Sequence, residues 1–520
     1  MATFLHLRGA MAQGRVLRQT SSVFRPGQQL AQMHRSTPVM VLSTPATGTR
    51  LDSIPRESPE VTWLHPGDYR VAPMIEHHKR GDLIIGLTLV FNSDKPLDRE
   101  LVYEALTHLY NKTKALRTCF RERDNQWWYC HMPKPVIDFK VLEAGIDPYK
   151  TTEELVKTPF NLADGPLWKV RLVPSPIEAS CHWPEVKEKF PYHNSLVFSL
   201  HHAAFDGFDV AVIVRLLHQL LDDALSGKPI DDKEIGHLLD HSQTYETTQR
   251  VKENLENNPQ KLNSLLNDRK SKEFKPLIMQ AFGAPEPSSV RTEYLKVAIL
   301  NLSLLQKFHK KCHSEGISLN SGLVSVVNTA LVELVREGGL VQDEYTVTSL
   351  HPTDLRRYMT TDVKTLPMGF HVAPMSQTMP TPYNVRDHFW KYAKQFDNKF
   401  KKNLENKFVF EEMILNRMIN QDNTSHDKFS TNSHPIKYDY MFSNIYSPKY
   451  PILGVGKNVQ LTEMRNNIPI DTAHVGHLCG VASIRDKVRY EHYYSTRAMT
   501  REIAQRKFEN VVSIFSEMAQ

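Results

Sequence analysis

The chain has 520 residues, of which 40% are hydrophobic, 23% charged and 9% aromatic, a balance that is typical of a globular protein and excludes a fibrous or wholly disordered one. The net charge of +6 arises in residues 1–50, which hold six arginines, no lysine and no acidic residue. The other residues carry 58 basic and 58 acidic side chains. No basic surface for nucleic acid is therefore predicted.

Residues 1–50 have the composition of a mitochondrial transit peptide, because arginines are spaced along a segment without acidic residues. Apolar residues such as Phe4, Leu7 and Leu17 would form one side of a positively charged helix. Gly9 and Gly14 weaken such a helix, so a disordered leader is the alternative reading. A mitochondrial location is expected on the first reading and a cytoplasmic one on the second.

The chain shows neither a membrane-spanning segment nor a disulfide framework. Its most apolar uncharged stretch, residues 83–91, is nine residues long, whereas a helix needs roughly 20 residues to span a bilayer. The five cysteines are odd in number and scattered, which favours a reducing compartment. Two groups combine metal-ligand residue types at tight spacing, but neither is paired with a second half-site, so no metal is expected: His309, Cys312 and His313, and His474, His477 and Cys479.

Hydrophobic periodicity predicts strands and helices in alternation over two parts of the chain. In the first part, residues 60–225, we predict strands over 83–91 and 194–200 and helices over 98–110 and 210–221, the last with Asp209 as its N-cap. Residues 226–289 form a charged connection with a helix over 251–266 and a linker over 283–289. In the second part, residues 290–520, we predict strands over 294–300, 345–350 and 481–494 and helices over 302–314, 320–336 and from Thr500 onwards.

The sequence HHxxxDG follows the second predicted strand as His201, His202, Asp206 and Gly207. Neighbouring side chains of a strand point to opposite faces, so only one of the two histidines is expected to face a cavity. A neutral imidazole is a natural general base near pH 7. Asp206 would either orient that imidazole or hold the loop through an arginine, and Gly207 would let the backbone turn without a Cβ obstructing the space ahead.

A second HHxxxD sequence occurs at His77, His78 and Asp82. No apolar strand precedes it and no glycine follows Asp82 at the corresponding position. We interpret it as a charged, solvated turn that only shares these residues with the first segment.

Further short segments, in order along the chain, resemble those of the CoA-dependent acyltransferase superfamily, which includes chloramphenicol acetyltransferase, condensation domains of peptide synthetases and alcohol acyltransferases. Besides HHxxxDG they are LRTCF (residues 116–120), FNLADGPLW (160–168), DLR (354–356) and SNI (443–445). The resemblance implies an α/β fold of two chloramphenicol acetyltransferase-like subdomains, each a mixed sheet with helices, which face each other across a central tunnel.

The resemblance also implies roles for individual residues. His202 is expected to be the catalytic general base, with His201 and Gly207 as structural residues at the site. Asp206 resembles the structural aspartate of the family, and we expect Arg117 of the LRTCF segment to be its salt-bridge partner. Ser443, Asn444 and Arg356 are expected to stabilise the oxyanion or position the substrate, with the backbone near Gly207 as a competitor for the first of these roles.

We therefore predict an acyltransferase that moves an acyl group from acyl-CoA to a small alcohol or amine. Acyl-CoA would be a co-substrate, and neither a tightly bound cofactor nor an acyl-enzyme is expected. The protein is expected to act as a monomer. Two alternatives stay open: a condensation-like enzyme that takes its acyl group from a carrier protein, and a non-catalytic member that binds a thioester or another hydrophobic ligand.

Overall fold

The computed structural model describes residues 61–175, 181, 183–271, 274–286, 292–295, 298–421, 435–445, 452–471, 473–485 and 487–520. The predicted leader, residues 1–50, lies outside the described residues, and so do residues 287–289 of the predicted linker.

Strands and helices alternate in the first part of the described chain, which continues into a mainly helical connection. Its elements are β1 (Trp63–Pro66), α1 (Val71–Lys79), β2 (Ile85–Ser93), α2 (Arg99–Lys112), β3 (Thr118–Arg123), β4 (Gln126–His131), β5 (Asp138–Val141), α3 (Pro148–Leu155), β6 (Trp168–Pro174), α4 (Pro184–Lys189), β7 (Tyr192–Leu200), α5 (Gly207–Leu225), β8 (His237–Leu238), α6 (Ser242–Glu256), α7 (Pro259–Ser271) and α8 (Leu277–Phe282).

The second part also mixes strands and helices. Its elements are β9 (Thr292–Tyr294), β10 (Ala298–Asn301), α9 (Leu302–Ser314), α10 (Leu319–Glu337), β11 (Glu344–Asp354), β12 (Pro367–Met368), β13 (Val372–Pro382), α11 (Phe389–Glu405), α12 (Phe408–Gln421), β14 (Tyr440–Asn444), β15 (Val459–Asn467), β16 (His477–Ile484), β17 (Lys487–Ser495) and α13 (Arg501–Met518).

The larger sheet of the first part, here called the N-sheet, has the strand order β15-β2-β7-β6-β5. It is mixed, because β5 runs parallel to β6 while the other neighbours are antiparallel. Its strand β15 comes from the second part of the chain. All nine residues of β2 are buried, as expected for a strand that is covered on both faces.

The sheet of the second part, here called the C-sheet, has the order β10-β17-β16-β14-β11-β13, with β9 beside β17. It is mixed as well, since β14 runs parallel to both β11 and β16. Residues such as Tyr440, Cys479 and Tyr494 on one face join α10, α11 and α13 in a hydrophobic core. The predicted α/β fold of two mixed-sheet parts is confirmed.

The structure moves one predicted helix start. The helix α5 begins at Gly207 and its N-cap is Asp206, whose carboxylate accepts hydrogen bonds from the backbone N–H groups of Phe208 and Asp209. The Asp209 carboxylate in turn accepts from Asp206 N at 2.9 Å. The prediction of Asp209 as N-cap was therefore wrong, because both aspartates form a reciprocal capping box.

Two other predicted elements are split in the structure. The predicted helix over 251–266 falls on α6 and α7, which are separated by Asn257 and Asn258. The predicted strand over 481–494 is part of the hairpin β16–β17, which turns at Arg485 with a φ of 53°. A hairpin without glycine gives little turn signal in the sequence, since glycine supplies positive φ most readily.

Among the described residues, no single helix has both the length and the apolar composition to cross a bilayer. The helices α9 and α10 pass this test only as a pair, and they are bent by 103° at their junction.

Candidate active site

The histidine pair lies where β7 ends, and the two rings point to different environments. His201 is fully buried; its ring lies 3.8 Å from that of His78 and 5.4 Å from that of Phe160, measured between centroids. Burial lowers the pKa of His201 to about 3, so this ring is neutral at physiological pH. The half-buried His202 instead lines a cavity of about 1960 Å³ between the two parts of the chain.

A backbone carbonyl fixes the tautomer of His202. Its Nδ1 lies 2.8 Å from the carbonyl oxygen of Phe205, and because a carbonyl only accepts, Nδ1 carries the proton and donates. The lone pair is then on Nε2. Burial lowers the pKa of His202, while the Phe205 hydrogen bond and the charge of Asp206 raise it. The result is a neutral imidazole with a fixed basic nitrogen.

Asp206 forms its salt bridge with Arg356 and not with Arg117. Arg356 Nη1 donates to Asp206 Oδ2 at 2.7 Å, and both side chains are almost completely buried. Asp206 Oδ2 also accepts from the backbone N–H of His371 at 2.9 Å. Because Asp206 caps α5 where that helix meets the second part of the chain, its carboxylate lies near the DLR segment.

Arg117, the partner predicted from the sequence, pairs with Glu234 of the charged connection. It lies at the end of the 3₁₀ helix Lys114–Arg117, and it is not among the residues that line the cavity. The prediction of an Asp206–Arg117 pair was wrong, because that helix directs the arginine towards the connection.

Arg356 lines the cavity, but each of its guanidinium nitrogens binds a protein acceptor. Nε donates to Pro367 O and Nη2 to Gly369 O, both at 2.7 Å, and Nη1 donates to Asp354 at 3.2 Å besides Asp206. We therefore assign it to holding the two parts together, which replaces the predicted role in positioning substrate. Burial and the charge of nearby Asp206 raise the pKa of Asp209, which faces the same arginine at 3.7 Å.

Gly207 leaves room for the second part of the chain. It is not one of the residues with positive φ, so its turn does not require glycine. A Cβ at this position would lie 3.4 Å from the Cγ2 atom of Ile445. The missing side chain thus allows the residue that follows β14 to approach the histidine loop.

Ser443 and Asn444, at the end of β14, line the cavity together with His202. Asn444 Nδ2 donates to Asn320 Oδ1 at 3.4 Å. The competing backbone N–H groups of Phe208 and Asp209 donate to Asp206 Oδ1 at 3.0 and 3.4 Å. Of the predicted oxyanion donors, Ser443 thus has no such contact drawing it away from the cavity through Asn320 or Asp206.

Sequence analysis missed the part that the second HHxxxD segment plays. His78 is buried at the end of α1, and its Nε2 lies 3.3 Å from the backbone nitrogen of His202. His77 lines the cavity and is 3.9 Å from Asp82. The interpretation as a solvated turn was wrong for His78; the helical spacing of apolar residues over 71–79 could have indicated a buried helix end.

Comparison with known proteins adds the family. The family model of the condensation domain matches residues 81–381, and no curated protein matches the chain. The fold is similar to that of the condensation domain of the monacolin K polyketide synthase, with a TM-score of 0.62 and 14% identity over 88% of this chain and 98% of that one.

Two further solved structures are similar over almost the same length. Trichothecene 15-O-acetyltransferase from Fusarium sporotrichioides has a TM-score of 0.60 and 12% identity, covering 89% of this chain and 100% of its own. The starter condensation domain of rhizomide synthetase, in complex with C8-CoA and Leu-SNAC, has a TM-score of 0.58 and 13% identity, covering 88% and 94%. The match of the family model over more than half of its length shows that this chain belongs to the condensation-domain family.

Proposed function

We propose that this protein is an acyltransferase that moves an acyl group from acyl-CoA to the hydroxyl or amine of a small molecule, with His202 as the general base. One observation carries the proposal. The unprotonated Nε2 of His202 is fixed by the hydrogen bond from Nδ1–H to Phe205 O, on a ring that lines a cavity between the two parts of the chain.

The reaction is a direct transfer. His202 Nε2 takes the proton from the acceptor O–H or N–H as the oxygen or nitrogen attacks the thioester carbonyl carbon. The tetrahedral intermediate then collapses, the carbon–sulfur bond breaks, and the imidazolium returns its proton to the thiolate to give free CoA. Ser443 is our candidate donor to the oxyanion, a role that is typically worth about 2.7–4 kcal/mol of the barrier.

The choice of CoA as donor is supported by two relatives. One is an acetyltransferase that acts outside a synthetase by its description, and the other is a condensation domain that was crystallised with C8-CoA. Condensation domains of synthetases also appear among the similar structures, so a carrier-protein thioester is the competing donor.

The test offers the full chain acetyl-CoA, octanoyl-CoA, palmitoyl-CoA and octanoyl-loaded carrier protein, each with pooled alcohols and amines. Free thiol and the acylated product are measured. We expect thiol release and product with a CoA donor, and the loss of both in His202→Ala. Turnover only with the loaded carrier protein would overturn the choice of donor, and binding of acyl-CoA without thiol release would overturn the enzyme.

A further inference from the structure

The floor of the cavity is one face of the C-sheet, and the strand register sorts its side chains into rows. Ser443 of β14 lies opposite Gly480 of β16, which in turn lies opposite Glu491 of β17. All three residues line the cavity. Because Ser443 and Gly480 have small side chains, this row forms a shallow groove that ends at a carboxylate, here called the Glu491 groove.

The next row on the same face is bulky and largely apolar. Met441 lies opposite Leu478, and Leu478 lies opposite Tyr493; these residues also line the cavity. They form one side of the Glu491 groove and present hydrocarbon to any chain that lies in it.

Glu491 is buried, with 2% of its surface exposed, yet its carboxylate is weakly bound by the protein. The hydroxyl of Tyr493 donates to Oε2. The other hydrogen bonds come from Asn466, whose backbone nitrogen and Nδ2 are both 3.4 Å away, at the long limit for such bonds. A carboxylate has about four acceptor sites, so acceptor capacity is left for a further donor.

The charge of Glu491 also lacks a close cation among the described residues. Arg489 Nε is 3.8 Å from Oε1, while Arg489 Nη1 lies 3.2 Å from another carboxylate, Glu463. A buried carboxylate is stabilised most by charge-assisted hydrogen bonds. The ligand chemistry that fits this end of the groove is therefore a protonated amine.

The groove has a defined length. Neighbouring strands lie about 4.8 Å apart, so the positions of Ser443 and Glu491, two strands apart, are separated by roughly 10 Å. The Ser443 end lies beside the histidine loop, since Ile445 approaches Gly207 there. A molecule with one reactive group near His202 and one ammonium group at Glu491 must span about this distance.

We propose that Glu491 binds the cationic end of a bifunctional acceptor, an aliphatic amine whose hydroxyl or second amine is acylated about 10 Å away. This inference rests on the proposed acyltransferase function, which it narrows to one class of acceptor. Leu478 and Met441 contact the methylene chain, and Gly480 leaves the space through which that chain passes.

The test compares 6-aminohexan-1-ol with hexan-1-ol, which has the same chain and no charge. Binding of each to the full chain without an acyl donor is measured by calorimetry, and the KM of each is measured with the acyl-CoA that supports turnover. We expect the amino alcohol to bind at least tenfold more tightly than hexanol. Glu491→Gln should abolish this preference, because it removes the charge while keeping the shape.

Glu463→Gln is the matched control, since Glu463 bears a carboxylate on β15 that does not line the cavity; it should keep the preference. Should Glu491→Gln fail to fold, Gly480→Val tests the groove without changing charge. Its side chain would project towards Glu491, whose Oε2 lies 3.6 Å from a Cβ at Gly480. It should weaken binding of the amino alcohol at least tenfold.

The results separate this inference from the proposed function. Thiol release with both acceptors and no preference for the amine overturns the role of Glu491 and leaves the acyltransferase in place. A preference that survives in both Glu491→Gln and Gly480→Val has the same effect. Binding that depends on Glu491, with no thiol release from any acyl-CoA, supports the cation site and overturns the acyltransferase.

Discussion

The two HHxxxD segments share their residue types and differ in what those residues do. In the segment that ends β7, the second histidine, His202, lines the cavity while His201 is buried. In the segment that ends α1 the order is reversed, with His77 on the cavity and His78 buried. The two buried rings meet at 3.8 Å. The element that presents the histidines thus decides which of them can reach a substrate.

The largest expected effect concerns the two histidines on the cavity. His202→Ala should lower turnover by about 10²–10⁴-fold, as the loss of a general base does, because it removes the nitrogen that takes the acceptor proton. His77→Ala, the matched change in the other segment, should leave turnover within a few fold. Both variants are assayed for thiol release and checked by thermal unfolding. An equal loss in both would mean that the fixed tautomer of His202 does not identify the base.

The aspartates of the two segments should differ in their effect on stability. Asp206→Asn weakens a buried pair with Arg356, and leaving a buried charge uncompensated costs about 3–5 kcal/mol. Asp82 accepts from the backbone nitrogen of Asp471 at 2.7 Å, and an asparagine retains an oxygen that accepts the same bond. We expect Asp82→Asn to cost about 0.5–1.5 kcal/mol. The measurement is the free energy of unfolding in denaturant.

The arginines give the control for this difference. Arg356→Gln should lower the free energy of unfolding about as much as Asp206→Asn does, because it breaks the same pair. Arg117→Gln breaks a partly exposed pair with Glu234 and should cost no more than about 1 kcal/mol. A larger loss in Arg117→Gln than in Arg356→Gln would contradict the assignment of the partner of Asp206.

Much of the fold and part of the site could be predicted from the sequence, and the limits have physical causes. Apolar strands and amphipathic helices such as α2 and α9 show in the local pattern of residues. The contact of Asp206 with Arg356 joins residues 150 positions apart, and nothing local separates Arg356 from Arg117. The same holds for β15, whose place beside β2 depends on a crossing between the two parts of the chain.

The site was predictable where its chemistry lies in one short segment. His201, His202, Asp206 and Gly207 are close in sequence, and the alternation of a strand separates the two rings. Glu491 and His78 carry no such signal: one is a single acidic residue in a strand and the other was read within a charged segment. Their environments come from sheet register and from the packing of α1, which the local sequence does not specify.

The smallest effect concerns the two buried rings and is seen in the pH dependence of stability. Burial lowers the pKa of His201 to about 3 and, together with the neighbouring His201 ring, lowers the pKa of His78 well below its ordinary range. In the unfolded chain both imidazoles take up protons near pH 6.5. As the pH falls from about 6.5 towards 3, protons therefore bind the unfolded chain first, and the folded protein loses stability.

Replacing one of these rings should reduce that slope. His78→Phe keeps an aromatic ring against His201 and removes one group that titrates only on unfolding. The free energy of unfolding of this variant, measured between pH 7 and 4.5, should fall less steeply than that of the wild type, whatever the constant offset from the lost contacts. His77→Phe changes the half-buried histidine of the same segment and should leave the slope nearly unchanged. Equal slopes in all three proteins would show that the buried pair does not stay neutral in the folded state, because only a difference in proton binding between the folded and unfolded chains produces a slope.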